Sequence, residues 1–384
     1  MPTPIKHSRL PASSSERWLN CTPSAMLAAQ LPNETSVYAE AGRIAHELGE
    51  YKLRKHFIKP EYHKSVDEKL AELRQSEHYD RSMEDATEDY YLAVLEAYNS
   101  YKDGAILALE TRVDYSDIAP GGFGTADCII VGEDVLTVMD YKNGSGVNVE
   151  AEGNTQMRLY AWGALRRYSL IYGNTLQIIR MIIVQPHAGG VKTWTISRGE
   201  LTDWARRVVK PAAELAAKGA GDYRPGPWCD SHFCPARATC RARAKALLEA
   251  AANAPKLPPE LTDEEVADIL RQTAGLDKWL ASLKDYALTA TLAGRSIPGF
   301  KAVEGRGSRD WNPGAFENLM AGGIDEAILY EKKPVSVAGL EKMLGKKAFA
   351  EASAGLWTKR PGKPTLVPET DKRPAYDRVK EAFG

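Results

Sequence analysis

The stretch that decides the fold is AILALETRVDYSDIAPGGFGTADCIIVGEDVLTVMDYKNG, residues 105–144. Residues 105–116 alternate apolar and polar side chains, as a strand with one buried face does. Residues 121–132 follow a Gly-rich turn, and residues 133–144 open on a second turn signal and run apolar as far as Asp140. The connections are too short for a helical crossover, so three sequential antiparallel strands are predicted.

Helical periodicity dominates on both sides. Before the strands, residues 13–31, 36–58 and 63–101 read as helices, the last broken near Tyr79. After them come a helix over 154–173 ended by Gly173, a buried strand over 177–190, a shorter strand over 192–198, and a helix over 201–219 kinked at Pro211. Helices, three strands, helix, strand, helix is the order of an α/β core with a mixed sheet. NAPKLPPE (253–260) reads as a linker. It divides a first domain, 1–252, from a C-terminal, mostly helical and basic module, 261–384.

Formal net charge is −1, and hydrophobic residues make up 43% of the 384, enough for a sizeable core. No apolar run approaches bilayer length, and the N-terminus has no apolar signal segment, so a cytoplasmic location is expected. The neutral total hides uneven charge. Residues 61–103 are acid-rich and read as solvated helices, whereas residues 332–384 carry twelve Lys and Arg against six Asp and Glu. A local basic surface is all that phosphate binding requires.

The chemistry starts from Gly124-Thr-Ala-Asp127, followed after twelve residues by Asp140-Tyr141-Lys142. On adjacent strands Asp127 and Asp140 converge, and Asp140 and Lys142, two apart, share a face. Two carboxylates make a hard oxygen site for Mg²⁺ or Mn²⁺, to which the Tyr141 carbonyl can add a donor. A lysine beside them can hold or help deprotonate an attacking water and stabilise charge on phosphorus. Read alone, a D-x-K at a strand end more often marks a turn. Gln156 and Tyr160 share a face of the following helix. His46, one turn from Glu50 on an amphipathic helix, is a candidate Mn²⁺ ligand, although a lone helical His is more often a packed or surface residue.

This order of motifs resembles the RecB-like branch of the PD-(D/E)XK nucleases, which includes AddB and the CRISPR-associated exonucleases. The resemblance implies a restriction-endonuclease-like core. It also implies His46, Asp127 and Asp140 as metal ligands, Lys142 as the catalytic lysine, Gln156 and Tyr160 as the motif that follows, and Glu110 as an acid on the first strand. The activity implied is metal-dependent DNA hydrolysis, by analogy an exonuclease on ends or single strands in phage recombination or replication. A DNA-binding recombination accessory protein with a vestigial nuclease site is the alternative from another class.

Five cysteines, an odd number in a chain expected in the cytoplasm, argue against a disulfide framework. Cys229, Cys234 and Cys240 lie within twelve residues, a spacing that lets thiolates share one metal. Cys21 is the candidate fourth ligand, and Cys128, beside Asp127, reads as a core residue. The spacing leaves Zn²⁺ and a 4Fe–4S cluster open. The resemblance favours the cluster, which in iron–sulfur members of that nuclease family staples the two ends of the domain. The departure is that four residues, rather than two, separate Cys229 from Cys234.

SIPGFKAVEGRGSRDW (296–311) and GKPTLVPETDKRPAY (362–376) resemble a phage and prophage family known as domain of unknown function 2800. The likeness extends over nearly the whole chain and implies a phage source. It implies no reaction. Lys301, Arg306, Arg309, Trp311, Lys346, Lys347, Lys359, Arg360 and Lys363 form a candidate DNA-binding set. Phage recombination and single-strand-binding proteins are candidate partners.

Overall fold

Three strands pair in chain order as antiparallel neighbours: β1 (Ile106–Asp114), β2 (Phe123–Gly132) and β3 (Val135–Tyr141). β4 (Ile178–Gln185) then joins β3 in parallel, and β5 (Gly190–Ser197) closes the sheet antiparallel to β4. The mixed five-stranded sheet therefore has the order β1-β2-β3-β4-β5. The parallel step follows from a crossover helix, Thr155–Tyr172, inserted between β3 and β4.

The computed structural model describes residues 8–31, 37–145, 147–252, 262–303, 315–321, 335–354 and 356–357. The expected linker, 253–260, lies outside them, as do Arg306, Arg309, Trp311, Lys359, Arg360 and Lys363. Two compact units are distinguished, Met1–Ala315 and Phe316–Gly384.

In the first unit the helices are α1 (Ser15–Asn20), α2 (Ser24–Ala29), α3 (Val37–Phe57), α4 (His63–Arg74), α5 (Ser82–Asn99), α6 (Thr155–Tyr172), α7 (Arg198–Trp204), α8 (Lys210–Lys218), α9 (Trp228–Ser231), α10 (Arg241–Ala252), α11 (Asp263–Gln272) and α12 (Leu276–Leu292). One sheet face packs a core with α6, α7 and α8 that includes Val113, Ile129, Leu136, Val138, Leu159, Met181 and Leu201. The other packs α3, α4 and α5 through Leu48, Leu70, Val94, Ile130, Met139 and Tyr141. Both faces are thus covered by helices, which is why β3 is buried along its whole length.

Local chemistry sets the helix ends. The Asn154 side chain caps α6 by accepting from the Met157 amide. Gly173, with φ 56°, ends it where a side chain would be strained. The helix expected over 13–31 is broken in two, because Pro23 disfavours helical backbone at Thr22 and supplies no amide. Cys21 lies at that break. The kink expected at Pro211 is a wide, π-type turn over Ala205–Val209 that feeds α8. α11 and α12 belong to the first unit, although the sequence places them in the C-terminal module. Trp279 is buried there, and its indole donates to the Ala238 carbonyl at 3.1 Å.

In the second unit, α14 (Val337–Leu344) and α15 (Lys346–Ala352) follow α13 (Ala315–Ala321), which spans the division between the units. Phe349 is buried, and its ring lies 6.2 Å from that of Trp357. Lys301, in the first unit, and Lys346 are exposed. Among the described residues, no helix is long and apolar enough to cross a membrane.

α6 packs closely on β1 at Gly163, where an added Cβ would stand 2.9 Å from the Val113 Cβ and 3.1 Å from the Asp114 backbone. Gly163→Val is expected to force the helix off β1. The urea unfolding midpoint should fall by the equivalent of about 1–3 kcal/mol, the usual cost of overpacking.

Candidate functional site

The β1–β2 ladder sets Leu109 opposite Cys128 and Thr111 opposite Ala126, which brings Glu110 opposite Asp127. The β2–β3 ladder ends at Cys128 opposite Met139, so Asp127 and Asp140 are the next positions along the two strands, where the ladder has opened. Three acids therefore lie in one row across three strands. The backbone is disturbed there. Glu110 has φ 45°, uncommon for any residue but glycine and a form of strain that concentrates at functional sites.

The opened ladder is closed by side chains. Asp127 Oδ2 accepts the Tyr141 amide at 2.8 Å, replacing a strand–strand bond. His46, from α3, places Nδ1 3.4 Å from the same oxygen, and its ring meets Tyr141 edge-on at 5.2 Å. On the α6 side, Gln156 Nε2 donates to Asp140 Oδ1 at 3.0 Å and its Oε1 accepts from Lys142 Nζ at 3.3 Å. Lys142 Nζ also lies 2.9 Å from Asp140 Oδ2, an ion-pair contact. That oxygen is buried and has no aligned hydrogen-bond donor. Tyr160 is buried, and Gly124 makes room for it: a Cβ on Gly124 would stand 2.6 Å from the ring.

The structure thus gathers His46, Asp127, Asp140, Lys142, Gln156, Tyr160 and Glu110 at one end of the sheet. Two further residues join them. Glu50, one turn after His46, pairs with Arg54. Tyr90, from α5, is buried with its ring 5.1 Å from that of Tyr141, and its hydroxyl has no hydrogen-bond partner. Nothing in the sequence marks Tyr90, because it sits in an acid-rich helix that reads as solvated.

Charge in the cluster is unbalanced. Burial, followed by the charges of Asp127 and Glu50, pushes the Glu110 carboxyl up to about 8. Burial and Asp140 raise Asp127 to about 6, against the opposing effects of His46, the Tyr141 amide and Lys142. For Lys142 burial opposes the charge, but Asp140 and Asp127 outweigh it and hold the ammonium above the ordinary lysine range. Burial and the same two aspartates raise the Tyr160 hydroxyl well above its usual value. Crowded carboxylates of this kind are the donor set of a hard divalent cation, and in this structure the Lys142 ammonium stands 2.9 Å from the buried Asp140 Oδ2. Among the described residues, no three His, Cys, Asp or Glu side chains stand close enough together to hold a metal between them. Lys142, Gln156 and the Tyr141 amide take the carboxylate oxygens instead.

Four cysteines share a pocket, although among the described residues no three of them stand close enough together to hold a metal between them. Cys21, Cys229, Cys234 and Cys240 line one pocket with Arg17, Ser24, Trp228 and Arg237. Burial raises the Cys229 and Cys234 thiols, and nearby thiols add to the effect. Cys128 lies apart, in the core beneath α3 and α5, and burial with the charge of Asp127 raises its thiol far above the ordinary range.

The family described as "Protein of unknown function (DUF2800)" matches residues 7–374, and the chain belongs to that family. Among solved structures, one titled "Crystal structure of SSO0001" aligns with 60% of this chain and 96% of its own. Its identity is 12% and the TM-score 0.25, too low to support an inference about this chain.

A carboxyl whose folded pKa exceeds its unfolded value destabilises the fold as pH rises from the ordinary carboxylate range through the folded value. For Glu110 that window runs from the ordinary carboxylate value of 4.5 up to about 8. Glu110→Gln, which mimics the protonated form, is expected to raise the Tm of metal-free protein above about pH 8 and to leave it unchanged below about pH 4. Thermal unfolding across this range checks the sign.

Proposed function

We propose that this chain is a divalent-metal-dependent DNA nuclease with a PD-(D/E)XK-type core, acting on DNA ends or single strands. The observation that carries the proposal is the row of Glu110, Asp127 and Asp140 across three strands, with Lys142 two residues beyond Asp140 and joined to it through Gln156. His46, Asp127, Asp140 and the Tyr141 carbonyl would hold Mg²⁺ or Mn²⁺, with Glu110 at the margin. When bound, the cation would polarise the phosphodiester and lower the pKa of a water.

The protein's own groups have distinct tasks. Lys142, beside Asp140 and Asp127, would hold or help deprotonate the attacking water and offset charge developing on the phosphate. Gln156 fixes Asp140 and Lys142 relative to each other. Tyr160, packed on Gly124, holds the N-terminal part of α6 against β2.

The pocket of Cys21, Cys229, Cys234 and Cys240 would hold a 4Fe–4S cluster, or Zn²⁺ as the other tetrathiolate metal, in a structural role. It would tie Cys21, before the sheet, to the segment that follows α8. Lys301, Lys346, Lys347, Arg306 and Arg309 would contribute to DNA binding. The setting would be phage or prophage recombination or replication in the host cytoplasm, beside recombination or single-strand-binding proteins.

The test is labelled linear and circular DNA incubated with Mn²⁺ or Mg²⁺. Linear DNA should be degraded and circular DNA spared, with EDTA abolishing the reaction. Asp140→Asn and Lys142→Ala should each lower the rate by about a hundredfold or more while the protein stays folded. DNA binding without metal-dependent degradation would overturn the nuclease reading and assign the chain to recombination accessory proteins.

A further inference from the structure

The cysteine pocket contains two buried groups whose hydrogen-bonding capacity is unused. Arg17 lies on α1, one turn before Cys21, and is 8% exposed. Ser24 begins α2, three residues after Cys21, and is 3% exposed. Both line the pocket with the four thiols. The Arg17 Nε and the Ser24 hydroxyl have no hydrogen-bond partner, and the contact of the guanidinium with the chain is a long one, 3.5 Å from Nη1 to the His232 carbonyl.

The contrast with a neighbour is informative. Arg243, equally buried, is matched by Asp230 at 2.8 Å. Among the described residues, Arg17 forms no ion pair with a carboxylate. Arg224 and Arg237 also line the pocket, and its lining includes no Asp or Glu. A buried cation without an acid, beside a hydroxyl without an acceptor, is costly unless the pocket's contents are anionic and rich in acceptors. Thiols are neutral and weak acceptors, whereas four metal-bound thiolates carry net negative charge and offer sulfur lone pairs.

We propose that Arg17 is the counter-ion, and Ser24 a hydrogen-bond donor, of a negatively charged thiolate–metal centre held by Cys21, Cys229, Cys234 and Cys240. The inference rests on the reading of these cysteines as ligands of one centre. Arg17 is a positioning residue that acts through charge. The His232 carbonyl faces the guanidinium and its ring lies 3.4 Å from Glu16, so the segment between Cys229 and Cys234 meets α1 at both Glu16 and Arg17.

The experiment is chelator competition on full-length protein reconstituted anaerobically with iron and sulfide or, separately, with Zn²⁺. Arg17→Gln, Arg17→Lys and Ser24→Ala are compared with the parent chain, and circular dichroism confirms folding of each. Arg17→Gln should release the metal at about 10–100-fold lower chelator concentration, the usual loss when a partner of a ligand set is removed. Arg17→Lys should restore most of it, and Ser24→Ala should show a smaller loss. If iron is the metal, Arg17→Gln should also make the reduction potential more negative, because a lost cation favours the oxidised form. A parent chain that retains metal, with a folded Arg17→Gln variant that has the same chelator midpoint and potential, overturns the counter-ion role alone. A parent chain that retains neither iron nor zinc overturns the reading of the cysteines and this inference with it.

Discussion

The crowding of like charge at the point where β2 and β3 separate is the constraint on which the first unit depends. Glu110, Asp127 and Asp140 are brought into one row by strand register, and Glu50 adds a fourth carboxyl from α3. Lys142 and Arg54 answer only part of that charge. Burial, together with the remaining charge, holds the Glu110 and Asp127 carboxyls raised, and the backbone at Glu110 is left-handed. A chain folding for stability alone gains nothing from such an arrangement; a cation would relieve it.

The layers around the sheet serve this junction. α3 supplies His46 from one face, while α6 supplies Gln156 and Tyr160 from the other. The two α6 residues are fixed by ordinary packing features: the Asn154 cap that starts α6, and the absence of a side chain at Gly124 that admits the Tyr160 ring. The same N-terminal segment that packs α1 and α2 beside α8 carries Cys21 to the other three pocket cysteines.

Much of this was legible in the sequence, for identifiable reasons. Short turns between alternating strands point to antiparallel pairing of β1, β2 and β3, and the helix before the next strand points to a mixed sheet, with β4 joining β3 in parallel. The spacing of Asp127 and Asp140 sets them on neighbouring strands, with Lys142 just beyond the second. Other features were not legible. Tyr90 is one aromatic in an acid-rich helix, and only tertiary packing turns it toward Tyr141. Arg17 has the same character as any surface arginine until α1 buries it beside the thiols. The break at Cys21 depended on Pro23, a local signal that the apolar periodicity of 13–31 masks.

Central to the account is the claim that the carboxylates at 127 and 140 are ligands of one divalent cation. Titration of Mn²⁺ into the protein, followed calorimetrically and by the electron paramagnetic resonance of free Mn²⁺, tests it directly. The account predicts saturable binding with proton release at neutral pH, abolished in folded Asp127→Asn and Asp140→Asn variants. Binding unaltered by both substitutions, or no binding by the parent chain, would contradict it.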